Sequence, residues 1–407
     1  MSDTAVSDTA AGIRSRVGLF AAFAGMGGTA ATIPALIPSL ELRLGSAALS
    51  AVPALFTGLL IGVLLSAPLL VRFRARTVAA LGALVQAASL IALTLATAGN
   101  AVVFVAAVAG VGFGLTEAAA SVAAKRSTAG SATRTLAALT GTVAVVAAVT
   151  PILVAVAAGG WWLVPVLVAV LHLTACLALF SSDEAAPGRV RDSPNSGGPR
   201  WSTAGLRVFV LAALALVIYV GIETVFSGWS AVIPAAVLGL NAQTAALGTS
   251  VFWICMAAGR FLAAGLLHRG LRPGVLLVAC TAVAASALGS AVLAPAPFGL
   301  LGLAAAVVAM APVYSLVLGE ALDRLPSGAA ARATGPLVAA GALGGTLVPA
   351  AVLVSGLGPT STETFLLSAV LCLVLCGGAI LVLLFSRPSV LPVSPPLTAA
   401  QHESSTP

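Results

Sequence analysis

Twelve stretches of this chain are long enough to cross a membrane and nearly free of charge. A helix rises ~1.5 Å per residue, so about 20 apolar residues span the ~30 Å hydrocarbon core of a bilayer. Inside that core each backbone N–H and C=O must find its partner within the protein, which leaves helices or closed barrels. Runs of this length and uniform apolarity select helices. The expected spans lie near 17–40, 49–71, 77–97, 101–124, 136–158 and 161–180, then near 205–236, 244–267, 275–294, 298–320, 335–357 and 365–386. Only 8% of the 407 residues are charged and 60% are hydrophobic, whereas a soluble domain carries about 25% charged residues. The fold class expected is an all-α membrane protein of twelve transmembrane helices in two six-helix halves.

The polar segments divide the chain. Residues 1–16 read as a cytoplasmic tail, with no apolar core ahead of a cleavage site and hence no signal peptide. Residues 17–180 form the first half and 205–386 the second. Between them 181–204, rich in Ser, Pro, Gly and charge, reads as a flexible cytoplasmic linker. The last segment, 387–407, has the composition of a disordered cytoplasmic tail.

Charge tests this division. With the N-terminus inside, the inner segments hold Arg14, Arg16, Arg72, Arg74, Arg76, Lys125, Arg126 and Arg134 in the first half. In the second part of the chain they hold Arg189, Arg191, Arg200, Arg207, Arg260, Arg269, Arg272, Arg324, Arg332 and Arg387. Of the 19 basic residues, only Arg43 falls outside. The positive-inside rule gives this asymmetry, with both termini cytoplasmic. One lysine against eighteen arginines, with abundant Ala and Gly, fits a GC-rich bacterial genome, so a bacterial inner membrane is the expected location. The net charge of +7 is spread through these loops and forms no nucleic-acid patch.

Sliding the chain by 196 residues brings out a repeat. Ile37-Pro38 meets Ile233-Pro234, Phe56 meets Phe252, and Arg76 meets Arg272. Two parallel halves of this kind bind solutes between them near the bilayer midplane.

The five cysteines, Cys176, Cys255, Cys280, Cys372 and Cys376, lie in apolar runs and act as small hydrophobes. No metal or disulfide framework is expected, and no cofactor. The chain has no phosphate-binding G-x-x-x-x-G-K-[ST] loop, no HExxH and no GxSxG. An enzyme is not expected.

Two acids lie deep in the spans. Glu117 is eight residues before Lys125, about 12 Å along span 4, and Glu223 is sixteen after Arg207, about 24 Å along span 7. A carboxylate at such depth costs a few kcal/mol on insertion scales, which makes it a candidate proton carrier or substrate ligand. A structural alternative is a protonated Glu bonded to Thr116 or Ser121, or to Tyr219 and Thr224. Gly110, Gly112 and Gly114 beside Glu117 allow close helix approach or a cavity wall. Tyr219, Glu223 and Ser227 share one face of span 7, with Trp229 just beyond; Trp229 is a ligand contact or an interfacial anchor. His172 in span 6 is a possible proton relay or a structural histidine. Arg260 reads as a gate or interhelix clamp. Gln86 in span 3 faces the same choice as His172. Prolines 34, 38, 151, 234, 312 and 349 are expected to interrupt their helices.

Twelve helices, a 6+6 repeat and a central linker resemble the major facilitator superfamily over about residues 17–386. GFGLTEAAAS resembles the span-4 pattern of the fucose-permease-like (fucose:proton symporter) branch, and Ser121 stands where that pattern has Asn. The resemblance implies that Glu117 binds substrate or couples protons. YVGIETVFSGWSAVIP and TSVFWICMAAGRFLA are similar to the branch's span 7–8 stretch, with Glu223, Trp229, Phe252-Trp253 and Gly259-Arg260; Trp253 thereby joins the substrate-binding candidates. Three departures stand out. Span 1 lacks the branch's acid and offers Thr29 and Thr32. The superfamily signature between spans 2 and 3 is reduced to SAPLLVRFRART, where Arg72 and Arg76 remain as gating candidates. Thr150-Pro151 replaces the antiporter Gly-Pro pair.

The expected function is a secondary active transporter for a small-molecule solute, working by alternating access with protons, as a monomer in the lipid bilayer. Export of a drug or secondary metabolite competes with sugar-like uptake. A transport-inactive sensor or scaffold is the remote alternative, because linker and tail are short for an added domain.

Overall fold

A computed structural model describes residues 3–127, 132–157, 160–181, 202–325 and 327–385, with side chains left aside at 3–15, 125–137, 296–297, 327–332 and 384–385. The expected linker and C-terminal tail lie almost wholly outside these residues.

Among the described residues twelve helices are long and apolar enough to cross a membrane, so the chain is a multi-pass membrane protein. Spans 1 to 6 are Asp3–Leu44, Ala51–Arg72, Ala75–Thr94, Gly99–Ser127, Ala132–Val156 and Leu163–Phe180. Spans 7 to 9 are Thr203–Gly228, Leu247–His268 and Pro273–Leu293. Span 10 is broken into Ala296–Met310 and Val313–Asp323, and spans 11 and 12 are Ser327–Val354 and Thr362–Phe385.

Three sequence expectations change here. The N-terminal polar segment is helical from Asp3 and continues into span 1. Span 7 stops at Gly228 instead of running on to 236; the chain turns at 229–231 and restarts as a short helix, Val232–Leu238, which contains Pro234. Prolines 34, 38, 151 and 349 lie inside unbroken helices. Pro312 alone among the six sits at a full break between two helical pieces of one span. It lacks the N–H that would bond the Val308 carbonyl, and its ring crowds the preceding turn.

Hydroxyl side chains within spans satisfy themselves locally. Thr32, Thr57, Thr150 and Thr224 each donate to the carbonyl four residues back, at 2.7 Å, which keeps a polar group bonded where no water is at hand.

Each half has its own core. The N-terminal half packs around Leu36, Leu40 and Leu90 at one end and Ala79, Leu139 and Leu179 at the other. The C-terminal half packs around Leu216, Ile222, Phe226 and Trp229, a cluster that also takes in Ile37 and Val52 from the first half. Spans 2 and 4 touch backbone to backbone. A Cβ on Gly58 or Gly62 would overlap the carbonyl of Ala107 or Val111, and one on Gly110 or Gly114 that of Leu55 or Leu59. Both pairs have the small-xxx-small spacing that lets membrane helices close up.

The halves meet at one end. Among the described residues three hydrogen bonds cross between them. The Trp229 indole N–H donates to the Leu49 carbonyl at 3.4 Å, Thr57 Oγ1 to Thr346 Oγ1 at 3.5 Å, and Ser250 Oγ to the Ala148 carbonyl at 2.7 Å. Leu49 precedes span 2, Trp229 follows span 7, and Ser250 opens span 8. All therefore lie at the end away from the linker, called here the distal end. Arg43, the one basic residue expected outside, sits at the same end with its guanidinium 4.6 Å from the centre of the Trp161 ring, a favourable cation–π arrangement.

Candidate functional site

Span 4 presents three faces. Gly110 and Gly114 lie against span 2, while Gly112 lies against Gly82 and Gln86 of span 3. These glycines therefore serve close packing and not a cavity wall. Thr116 turns the same way as Gly112: its hydroxyl donates to the Gly112 carbonyl at 2.8 Å and accepts from Gln86 Nε2 at 3.1 Å. Glu117 is the next residue, on the remaining face, and is half-buried. Ser121 follows one turn towards the linker end.

Span 7 brings Tyr219 and Glu223 together one turn apart. Tyr219 is wholly buried, and its hydroxyl has no hydrogen bond of standard geometry; it lies within electrostatic reach of Glu223. Glu223 lines a small apolar cavity of about 10 Å³, room for one water, with Phe226, Phe252, Met256, Val307 and Met310. A carboxyl in such surroundings has few solvating partners and depends on nearby charge. Arg260 of span 8 supplies it: the guanidinium interacts electrostatically with both Glu223 and Tyr219, and its Nε donates to the Ala311 carbonyl at 3.4 Å. Ala311 lies at the break in span 10, so this bond ties the exposed arginine to the break.

Tyr314 stands near both acids. It stands just past the same break, half-buried, its ring 6.3 Å from that of Tyr219. It lies within electrostatic reach of Glu117 in one half and Glu223 in the other. Sequence reasoning missed it. The available signal was scarcity, since the chain has only two tyrosines and both meet here. Trp253 is half-buried, edge-on to Phe252 with centroids 5.7 Å apart, and seven residues from Arg260 on one face of span 8.

Other candidates lie elsewhere. Trp229 is fully buried in the distal contact between halves, which is no interfacial anchor position. His172 is fully buried between spans 6 and 1, with Nε2 2.8 Å from Thr29 Oγ1. Its ring fills the space a Cβ on Gly25 would need, so Gly25 and His172 form a fitted pair. His172→Leu leaves the Thr29 hydroxyl without that partner and is expected to cost about 1–3 kcal/mol, read as a lower thermal midpoint with an unchanged pH profile of transport. A displaced pH profile would instead mark His172 as a proton relay. Arg72 is exposed and Arg76 half-buried, both at the linker end where spans 2 and 3 join. Among the described residues no group of His, Cys, Asp and Glu could hold a metal ion.

A family model described as Major Facilitator Superfamily matches residues 17–349. Three solved structures share the architecture. The xylose transporter XylE from E. coli, in a partially occluded inward open conformation, superposes with a TM-score of 0.72 at 15% identity, over 93% of this chain and 98% of that one. The nucleoside transporter NupG gives 0.68 at 13%, covering 92% and 100%. The peptide transporter POT in complex with alafosfalin gives 0.75 at 14%, covering 90% and 94%. At such identity the likeness is one of fold. No curated protein sequence matches significantly.

Proposed function

Since the chain belongs to the major facilitator superfamily, we propose that it is a proton-coupled secondary transporter that moves a small organic solute across a bacterial inner membrane by alternating access. The observation that carries this reading is that Glu117 and Glu223, one in each half, both lie within electrostatic reach of Tyr314. A site shared between halves is remade each time the halves rock, which is what coupling requires. A carboxyl at that depth can be charged or protonated, and access from one side and then the other loads and unloads it. Arg260 offers Glu223 a counter-charge whenever no proton is bound. Tyr219, Tyr314 and Trp253 offer aromatic faces and hydroxyls to a ligand. With the basic loops on the cytoplasmic side, the joined distal end is external and the site faces the cytoplasm.

Uptake of a sugar-like solute is supported by the span 4 and span 7–8 resemblance to the fucose-permease-like branch. Export of a less polar drug or metabolite is supported by span 1, whose middle carries only Thr29 and Thr32, both buried. One experiment tests the shared core of both. In proteoliposomes with an imposed pH gradient and a panel of sugars, nucleosides, peptides and drugs, wild type is expected to concentrate or expel at least one. Glu117→Gln is expected to lose the gradient-driven part and keep solute exchange. Unchanged pH dependence in the variant would remove Glu117 from coupling. The direction of movement separates uptake from export.

A further inference from the structure

A second concavity lies outside the site described above. Between spans 8, 9 and 10 an apolar groove of about 430 Å³ is lined by Leu262, Leu266, Leu276, Cys280, Val283 and Val308 among others. Its origin is visible in the repeat. At the 196-residue offset, Gly58, Gly62, Gly110 and Gly114 become Ile254, Ala258, Ala306 and Met310. The glycines that seat span 2 on span 4 are gone from the second half. Spans 8 and 10 stay in backbone contact at Gly259, where a Cβ would overlap the Val308 carbonyl, and they diverge to leave the groove.

The groove faces the bilayer. Leu262 and Val283 on its walls are 59% and 53% exposed, and Phe261 beside it is 79% exposed. At the linker end it stops at Leu266 on span 8 and Leu276 on span 9. The tight turn between these residues carries His268, Arg269 and Arg272, all exposed. Among the described residues neither arginine is in an ion pair, whereas Glu320 at the adjoining end of span 10 is held by Arg324 at 2.6 Å. Counting Asp323 as well, the rim remains net positive.

We propose that this groove seats an acyl chain of an anionic phospholipid whose phosphate is bound by Arg269 and Arg272. The apolar walls suit the chain, and the two exposed guanidiniums, in no ion pair among the described residues, sit at the depth where headgroups begin. A chain in this position lies against Gly259 and Val308, one residue from Arg260, and so against the wall that orients the Glu223 counter-charge. The proposal does not depend on which solute is carried.

The test uses delipidated full-length protein and counts bound lipid by native mass spectrometry. Phosphatidylglycerol and phosphatidylcholine with identical acyl chains are titrated separately. Wild type is expected to retain phosphatidylglycerol better, by about fivefold for each arginine engaged. Arg269→Gln with Arg272→Gln, both exposed, is expected to level the two lipids. Val283→Trp, on the exposed wall, is expected to reduce retention of both. Equal retention of the two lipids by wild type, or a preference that survives the double substitution, would overturn the proposal. So would a Val283→Trp variant that binds as wild type does, because the headgroup would then be held without the groove.

Discussion

Oxidative crosslinking of the double variant Thr57→Cys with Thr346→Cys, in a background without the native cysteines, is expected to reduce transport to about a tenth of wild type or less, with recovery on reduction. The two hydroxyls are 3.5 Å apart, one in each half, so formation of the disulfide requires only small shifts. The effect is large because, in the proposed alternating-access cycle, the distal contacts must part for the site to reach the other side. Binding from the linker end is expected to survive. Full transport with the bridge formed would mean that the halves do not separate there.

The second large effect concerns assembly. Gly110→Val and Gly58→Val place side-chain carbon on the carbonyls of Leu55 and Ala107. Overpacking a core costs about 1–3 kcal/mol when side chains can give way. Here the obstacle is helix backbone, so spans 2 and 4 must separate along the Gly58–Gly62 and Gly110–Gly114 stripes. Each variant is expected to lose most of its monodisperse folded protein or to melt far below wild type. Gly377→Ala is the control: nothing lies within 4 Å of a Cβ there, and replacing a helical glycine gains about 0.5–1 kcal/mol. A Gly110→Val protein as stable as wild type would show that the stripes are not required for close packing.

The topology was legible because hydrocarbon leaves few choices. Long apolar runs must be helices, and the spans expected near 77–97 and 161–180 are reproduced within a few residues. Breaks were harder. Pro34 and Pro38 read as interruptions, yet span 1 continues through both, because a membrane helix tolerates a lost bond when neighbours close around it. The stop at Gly228 has no proline to announce it. It reflects the burial of Trp229 against Leu49, a contact between residues 180 apart in sequence. Glu117 and Glu223 were legible as acids at the wrong depth. Tyr314 was not, because its importance lies in which two helices it faces. The role of Gly110 was half legible: its size signalled close packing or a cavity, and only the partner backbone decided between them.

The sparse clamp at the distal end has an energetic consequence. A hydrogen bond contributes about 0.5–1.5 kcal/mol net, so the three that cross between the halves among the described residues add only a few kcal/mol to the apolar packing of Ile37 and Val52 against the C-terminal core. Moving one elementary charge through 100 mV releases ~2.3 kcal/mol. In the proposed proton-coupled cycle, the polar part of the distal contact is thus of the same size as one proton's electrical work, so breaking these bonds alone does not exceed the drive.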